Sequence, residues 1–367
     1  MPRYFGEAPL MNDKTMLDII NQNIEEYLRK TRSFNDIPTV LLCSSEEKDS
    51  IVERGREFNI TFDKIDTNVD LMDSIKCYGN SVNYFISDTL INDDIYRSLI
   101  GLGIELEHIF IGFTKTDYFD LYSRRNVVFE NIDKITRVYN LLVDEKSKRT
   151  FLKIIVRLCL PYQFHYYYET EDFIQYYPTF FTFSDHEIYL DGGVCEGKNI
   201  RQFIDKVGGN YQYIFGVEAD PTNYAYCQKE LKNIPNMQMY NLALHSEECE
   251  LSFFSSKKTG KRGNAHVQPG GDVVVKTVVG DNLSLAPSYI KLDIEGSEKD
   301  ALLGLKNTIK EAGPKLSICV YHFQSDFWEV PLLMHKLNPS YRLSIRNHEK
   351  MKTLLETVCY GYIEQGE

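Results

Sequence analysis

No stretch of this sequence stays apolar for the roughly 18 residues that a membrane-spanning helix needs. The longest greasy run, Phe151–Leu160, is interrupted by Lys153 and Arg157. Met1–Lys14 has no apolar core flanked by positive charge, so no signal peptide is expected. Positive charge is in deficit: 41 Lys and Arg stand against 53 Asp and Glu, a net charge of −12. That balance argues against the broad basic face that nucleic-acid binding requires. No C-x-x-C pair occurs among the eight scattered cysteines, and most lie in apolar contexts such as Leu42-Cys43 and Ile318-Cys319-Val320. They read as reduced core cysteines of a cytoplasmic protein rather than as disulfides or zinc ligands. There is no internal repeat and no low-complexity tract. What remains is ordinary globular composition, 43% hydrophobic and 26% charged, in 367 residues, a length that suits two domains.

The first third alternates strand-like and helix-like segments. Ile37–Cys43, Val82–Ile86 and His108–Phe113 read as strands, and Glu46–Phe58 and Asp94–Leu102 as helices. Residues 1–135 are therefore expected to form a small α/β domain of unassigned role. The turn after its first strand, Ser44-Ser45-Glu46-Glu47, carries no glycine, so nothing there can approach a pyrophosphate closely. Scaffolding, self-association into a homo-oligomer or substrate contact are the roles left to it. Residues 136–185 read as a connector. It comprises one long helix over Arg137–Leu160, with a solvated charge cluster at Asp144–Arg149, and an aromatic stretch, Tyr162–Phe183. The aromatics are expected to cap a core edge before they serve as a sugar platform.

From His186 onward, strands at Ile188–Leu190, Tyr213–Val217, Met237–Leu244, Leu251–Phe254, Val273–Val279, Ile290–Leu292, Leu316–Tyr321, Tyr341–Arg346 and Thr357–Tyr360 alternate with helices from Lys198, from Asp220-Pro221 and over Glu298–Ala312. Asp220 suits an N-cap, and Pro221 the first turn. This pattern predicts an α/β fold over 186–367: a doubly wound, mostly parallel sheet with its ligands at the carboxyl ends of the strands.

Chemistry-bearing residues gather at those ends. After the first strand comes Asp191-Gly192-Gly193-Val194-Cys195-Glu196-Gly197, a D-x-G-x-x-x-G turn. Counted from Gly192, the second glycine of a dinucleotide fingerprint is replaced by Val194, which points to a ligand without pyrophosphate. Glu218 ends the second strand, where an acid accepts hydrogen bonds from two ribose hydroxyls. Asp293 and Glu295 follow the strand Ile290–Leu292, and two-residue alternation would put both on one side. His322 follows the strand Leu316–Tyr321, within reach of both acids. The loop Lys257–Gly263 is basic and glycine-rich: a lid for a phosphorylated sugar, or a solvated loop. His266 follows it.

The stretches YLDGGVCEG, FGVEADP, YNLAL, YIKLDIEGSE, VYHFQSDFWEVP and the later RNH and ETVCY resemble the FkbM family of S-adenosylmethionine-dependent methyltransferases, in the family's order and over about residues 186–362. VYNLLVDEKSKRTFLKIIVRL also resembles the lead-in of members from surface-glycan gene clusters. One departure is Val194-Cys195, where the family usually has Ala or Asn after the second glycine. The resemblance implies a Rossmann-like class I methyltransferase domain and O-methylation of a hydroxyl on a sugar, nucleotide-sugar or glycan. It implies cofactor contacts from Asp191, Gly192, Gly193, Glu196, Gly197, Glu218, Ala219, Leu242 and Asp293. His322 is nominated as base, Asp293 as its partner or a contact to the acceptor, and Glu295 as holding the acceptor or the loop. A divalent-metal cluster of Asp293, Glu295 and His322 stays open as the alternative to a metal-free site, which is preferred. The rival functions are N- or carboxyl-methylation, and a non-catalytic nucleotide- or glycan-binding protein on the same fold.

Overall fold

The structure is a computed structural model and describes residues 10–32, 37–57, 61–67, 71–87, 101–104, 108–112, 125–159, 163–164, 174–255, 257, 266–267, 270–348 and 354–364. Most of the expected helix Asp94–Leu102, of the basic loop Lys257–Gly263 and of the aromatic run before Ile174 lies outside the described residues. The chain forms two compact units. One comprises residues 1–140, 148–170 and 349–355; the other comprises 141–147, 171–348 and 356–367. Among the described residues no helix is long and apolar enough to cross a membrane. All eight cysteines are free.

The first unit contains α1 (Asp13–Arg32), β1 (Thr39–Leu42), α2 (Lys48–Glu57), β2 (Lys64–Asp66), α3 (Leu71–Tyr78), β3 (Asn83–Ser87), β4 (Ile109–Gly112) and α4 (Arg125–Glu130), then α5 (Ile132–Leu141), α6 (Glu145–Leu158) and β5 (Gln163–Phe164). Its sheet runs β2-β1-β3-β4-β5, parallel except for β5. Strands β1 and β3 are buried along their length, as strands covered on both faces should be. The glycine-free turn after β1 is filled by its own acid. Glu47 is buried and accepts hydrogen bonds from Ser44 Oγ (2.7 Å) and Ser87 Oγ (3.2 Å). A carboxylate there repels a phosphate as well as leaving it no room.

The long helix expected over Arg137–Leu160 is two helices. The chain leaves α5 at Leu142, which makes a parallel bridge with Leu343. It re-enters at α6 with Asp144 as the cap, accepting from Ser147 N (2.8 Å) and Ser147 Oγ (2.7 Å). Asp144 also accepts from Ser344 Oγ and faces Arg346, so it is a structural group and not a solvated charge.

The second unit is built on β6 (Ile188–Gly192), α7 (Lys198–Lys206), β7 (Tyr213–Val217), α8 (Pro221–Glu230), β8 (Met237–Tyr240), β9 (Ala243–His245), β10 (Glu250–Phe254), β11 (His266–Val267), β12 (Val273–Val279) and β13 (Tyr289–Leu292). It continues with α9 (Glu298–Gly304), α10 (Lys306–Ala312), β14 (Lys315–Cys319), α11 (Asp326–Leu337), β15 (Arg342–Asn347) and β16 (Thr357–Tyr362). The main sheet has seven strands in the order β15-β16-β14-β13-β6-β7-β8. The strands from β14 to β8 in that order are parallel, and β16 is antiparallel to both of its neighbours. Strand order reverses between β6 and β13, which opens a crevice at their carboxyl ends.

Two expectations change here. The single strand over Met237–Leu244 is divided: β8 ends the large sheet, and β9 turns away to pair with β12 in a separate four-stranded sheet, β11-β10-β12-β9. The helix over Glu298–Ala312 breaks at Leu305, which is buried and leaves helical dihedrals (φ −106°). Asp220 does cap α8, accepting from Thr222 N and Asn223 N, with Pro221 behind it.

The core is strongly aromatic. Tyr189 stacks on Tyr289 (centroids 4.9 Å apart), and Phe203 packs on Tyr189. Tyr176, Tyr177 and Phe181 are buried, so the described end of the aromatic run does cap a core edge.

Candidate active site

At the crevice between β6 and β13 lies an open cavity of about 240 Å³. Its wall combines the glycine turn after β6, the Glu218 turn after β7, the Leu242–Leu244 segment and the Asp293–Glu295 turn, with Phe253 and Val267 from the smaller sheet. Four carboxylates, those of Glu218, Asp293, Glu295 and Glu356, reach this wall, and no Lys or Arg does among its described residues.

The glycine turn is held from below by a buried ion pair. Lys291 Nζ lies 3.0 Å from Asp191 Oδ1, and both side chains are fully buried. The same ammonium donates to the carbonyls of Gly192 (3.1 Å) and Gly193 (2.7 Å), so one cation fixes the turn at three points. Burial alone would lower the Lys291 pKa, but the carboxylates of Asp191 and Asp293 outweigh it and keep the lysine charged. Gly193 (φ +80°) lies directly against the next loop: a Cβ there would stand 1.9 Å from the carbonyl oxygen of Asp293. Backbone cannot rotate aside as a side chain can. Gly193→Ala is therefore expected to cost stability by more than the roughly 1–3 kcal/mol of a positive-φ residue alone. A melting temperature equal to that of the wild type in this variant would refute the close approach.

Glu218 is buried at the end of β7. Its two oxygens accept from Cys195 N (2.8 Å) and Asp220 N (2.9 Å). A carboxylate has about four acceptor positions, so two remain for a ligand in the cavity. Burial pushes its pKa up to about 7, against the pull of the two backbone N–H groups.

Across the cavity, His322 sits among three carboxylates. Nε2 is 3.4 Å from Asp293 Oδ1 and 3.5 Å from Glu295 Oε2, while Nδ1 is 3.0 Å from Glu298 Oε1. Glu298 also accepts from Ile294 N (2.8 Å), tying the imidazole to the turn that carries both other acids. Asp293 accepts from Tyr176 Oη (2.8 Å) and Tyr321 Oη (3.2 Å). Asp293 and Glu295 share this side not through strand alternation, since β13 ends at Leu292. They do so because the chain turns sharply, with Glu295 at φ +56° and Gly296 at φ +97°. Burial alone would lower the pKa of His322; Glu298, Asp293 and Glu295 together push it up to about 10. The ring nominated as a base is therefore one that holds its own proton near neutrality. Burial also pushes Glu295 up, to about 8, with His322 opposing.

Of the residues tied to the cofactor by resemblance, Gly192, Gly193, Glu218, Ala219, Leu242 and Asp293 line the cavity. Asp191, Glu196 and Gly197 do not. Asp191 is buried under the turn, Glu196 is exposed, and Gly197 is packed against Leu231. His266 stacks on Phe254, and its neighbour Val267 meets the cavity instead. Residues to which the sequence reading gave no role are Lys291, Tyr176, Tyr321, Glu298, Asn223 and Glu356. A charge inside the apolar strand YIKL was the available signal for Lys291. Tyr321 stands in the VYHFQSDFWEVP stretch, and nothing local marked Tyr176.

A comparison with curated proteins finds no match. Among solved structures, the chain is similar to a methyltransferase FkbM from Methylobacillus flagellatus KT, with a TM-score of 0.65 and 16% identity over 96% of this chain and 100% of that one. It also aligns with a putative rRNA methylase from Clostridium thermocellum (TM-score 0.33, 9% identity, 49% of this chain and 88% of the other). An S-adenosylmethionine-dependent methyltransferase from Aquifex aeolicus aligns at a TM-score of 0.29 and 12% identity, over 48% and 82% of the two chains. The family model described as the methyltransferase FkbM domain matches residues 191–357, from the acid under the glycine turn to the start of β16. The methyltransferase FkbM domain model thus falls on the C-terminal part of this chain, with a doubly wound sheet beneath the match and the cavity at its switch point.

Proposed function

We propose that the chain methylates a sugar hydroxyl with S-adenosylmethionine as donor, in the making of a surface glycan. The observation that carries the reading is the make-up of the cavity wall: four acidic side chains and no described Lys or Arg, beside a glycine that admits no side chain. That wall suits a cationic ligand without phosphate and disfavours a dinucleotide. Glu218, with two acceptor positions to spare, would hold the ribose hydroxyls, and Gly192 and Gly193 would lie along the rest of the cofactor. Bound there, S-adenosylmethionine supplies a methyl group activated by a positively charged sulfur. The protein's work is alignment and proton removal. Asp293, Glu295 and His322 face the opposite side and are assigned to the acceptor. The two carboxylates orient its hydroxyl and take up the proton, while His322, braced by Glu298, keeps the acids in place. The FkbM resemblance supports a sugar as the acceptor, and the carboxylates suit a ligand rich in hydroxyl donors.

Incubation with isotopically labelled S-adenosylmethionine and a panel of nucleotide-sugars and glycans, read by mass spectrometry, is expected to reveal a methyl group on a hydroxyl oxygen. Transfer only to an amine or a carboxyl would reassign the acceptor. Absence of calorimetric heat with both the cofactor and its demethylated product would discard the donor.

A further inference from the structure

We infer that Asp293, Glu295 and His322 form a binding site for a divalent transition-metal ion on the acceptor wall of the cavity. Each offers one ligand atom, and these atoms all lie within 4.8 Å of one another. The distances from His322 Nε2 to the two carboxylate oxygens, 3.4 and 3.5 Å, are too long for good hydrogen bonds. They match atoms that share an ion, because ligands about 2.1 Å from a common centre stand about 3.0–3.4 Å apart. His322 is only 2% exposed, yet Nε2 has no hydrogen-bond partner and points at the pair of acids. With no ion present the acids hold a proton on this ring; an ion in the space Nε2 faces would take that proton's place and release it.

The supporting shell has the form expected of a metal site. Metal-binding histidines usually turn the second ring nitrogen toward a carboxylate, and Nδ1 faces the buried Glu298 at 3.0 Å. Asp293 is oriented by the hydroxyls of Tyr176 and Tyr321. Glu295 is aimed by a backbone at φ +56°, a conformation costly for a residue other than glycine and usually kept where it serves a site. Two carboxylates can balance a divalent ion, and the mixed oxygen and nitrogen set favours manganese-like ions over calcium. In the methyl-transfer reading, the ion would take the acceptor oxygen as a further ligand and lower its pKa; the two carboxylates, engaged on the ion, would then orient the oxygen, and water would take the proton in their stead. That use rests on the proposed function; the binding itself does not.

The test is titration of the full chain, exhaustively chelated and then dialysed, with Mn²⁺ while free Mn²⁺ is followed by electron paramagnetic resonance. One equivalent is expected to bind, at least about tenfold more weakly to Glu295→Gln and about 10–100-fold more weakly to Glu298→Gln. Circular dichroism checks that both variants are folded. Failure of the wild type to bind Mn²⁺ or Zn²⁺, or equal binding by a folded Glu295→Gln, overturns the site. S-adenosylhomocysteine calorimetry in chelator runs alongside: retained cofactor heat with no metal binding sinks the cation alone, and lost heat sinks the donor assignment instead.

Discussion

Lys291→Met is expected to lose about 3–5 kcal/mol of stability, because it strands Asp191 as a buried charge without a partner. For a unit of this size that is on the order of 10 °C in melting temperature. Methionine keeps the length and apolar stem of lysine, so the loss measures charge and hydrogen bonds rather than volume. A second substitution separates two roles. Lys291→Met with Asp191→Leu replaces the ion pair by apolar atoms, and such replacements are often neutral or stabilising. The double variant should therefore recover much of the melting temperature. It should not recover cofactor binding, because the carbonyls of Gly192 and Gly193 still lack their donor. Recovery of both would mean that the lysine only balances charge. A Lys291→Met protein that melts like the wild type would remove the ion pair from the account altogether.

Glu218→Gln is expected to weaken S-adenosylhomocysteine binding roughly 100-fold, since hydrogen bonds to a charged acceptor contribute about 1.5–3 kcal/mol each. The same residue sets a pH dependence whose sign is determined. In the free protein Glu218 has a pKa of about 7, and holding two ribose hydroxyls requires the carboxylate. Above about pH 8 the group is already ionised and affinity is level. Below pH 7 the proton must leave before the ligand is gripped, so affinity falls toward tenfold per pH unit. Calorimetry between pH 5.5 and 8.5 checks this, and Glu218→Gln should remove that component of the slope. A slope unchanged in the variant would assign the titration to another group.

Much of the fold was legible because burial leaves a period in the sequence. The β1, β7, β12 and β13 segments are short apolar runs bounded by turn residues, and Asp220-Pro221 announces a helix start with its own chemistry. The departures have physical causes. A helical pattern continues across residues 142–144, but a tertiary bridge to Leu343, together with the local Asp144 cap, divides it. The β8–β9 division depends on a partner strand 34 residues away, which no local window contains.

The site divides in the same way. Glu218 and the Asp293–Glu295 turn could be placed from their positions at strand ends. The state of His322 could not, since it depends on Glu298, a residue that reads as an ordinary first-turn acid of α9. The part of Asp191 also differed: an acid before a glycine turn suggests contact with a ligand, whereas burial beside Lys291 makes it an anchor. Tyr176 shows the limit most plainly. It lies 117 residues from Asp293, and only folding brings its hydroxyl there.

The turn at Gly193 and the loop at Asp293 meet backbone to backbone, with Asp293 N also donating to Gly192 O at 3.2 Å. No flexible side chain lies between them to absorb a shift. A shift of either segment is therefore passed to the other, and any coupling between ligands of the two halves of the crevice has the same factor in both directions. Substitutions that remodel the second loop are expected to alter what the glycine turn holds as well.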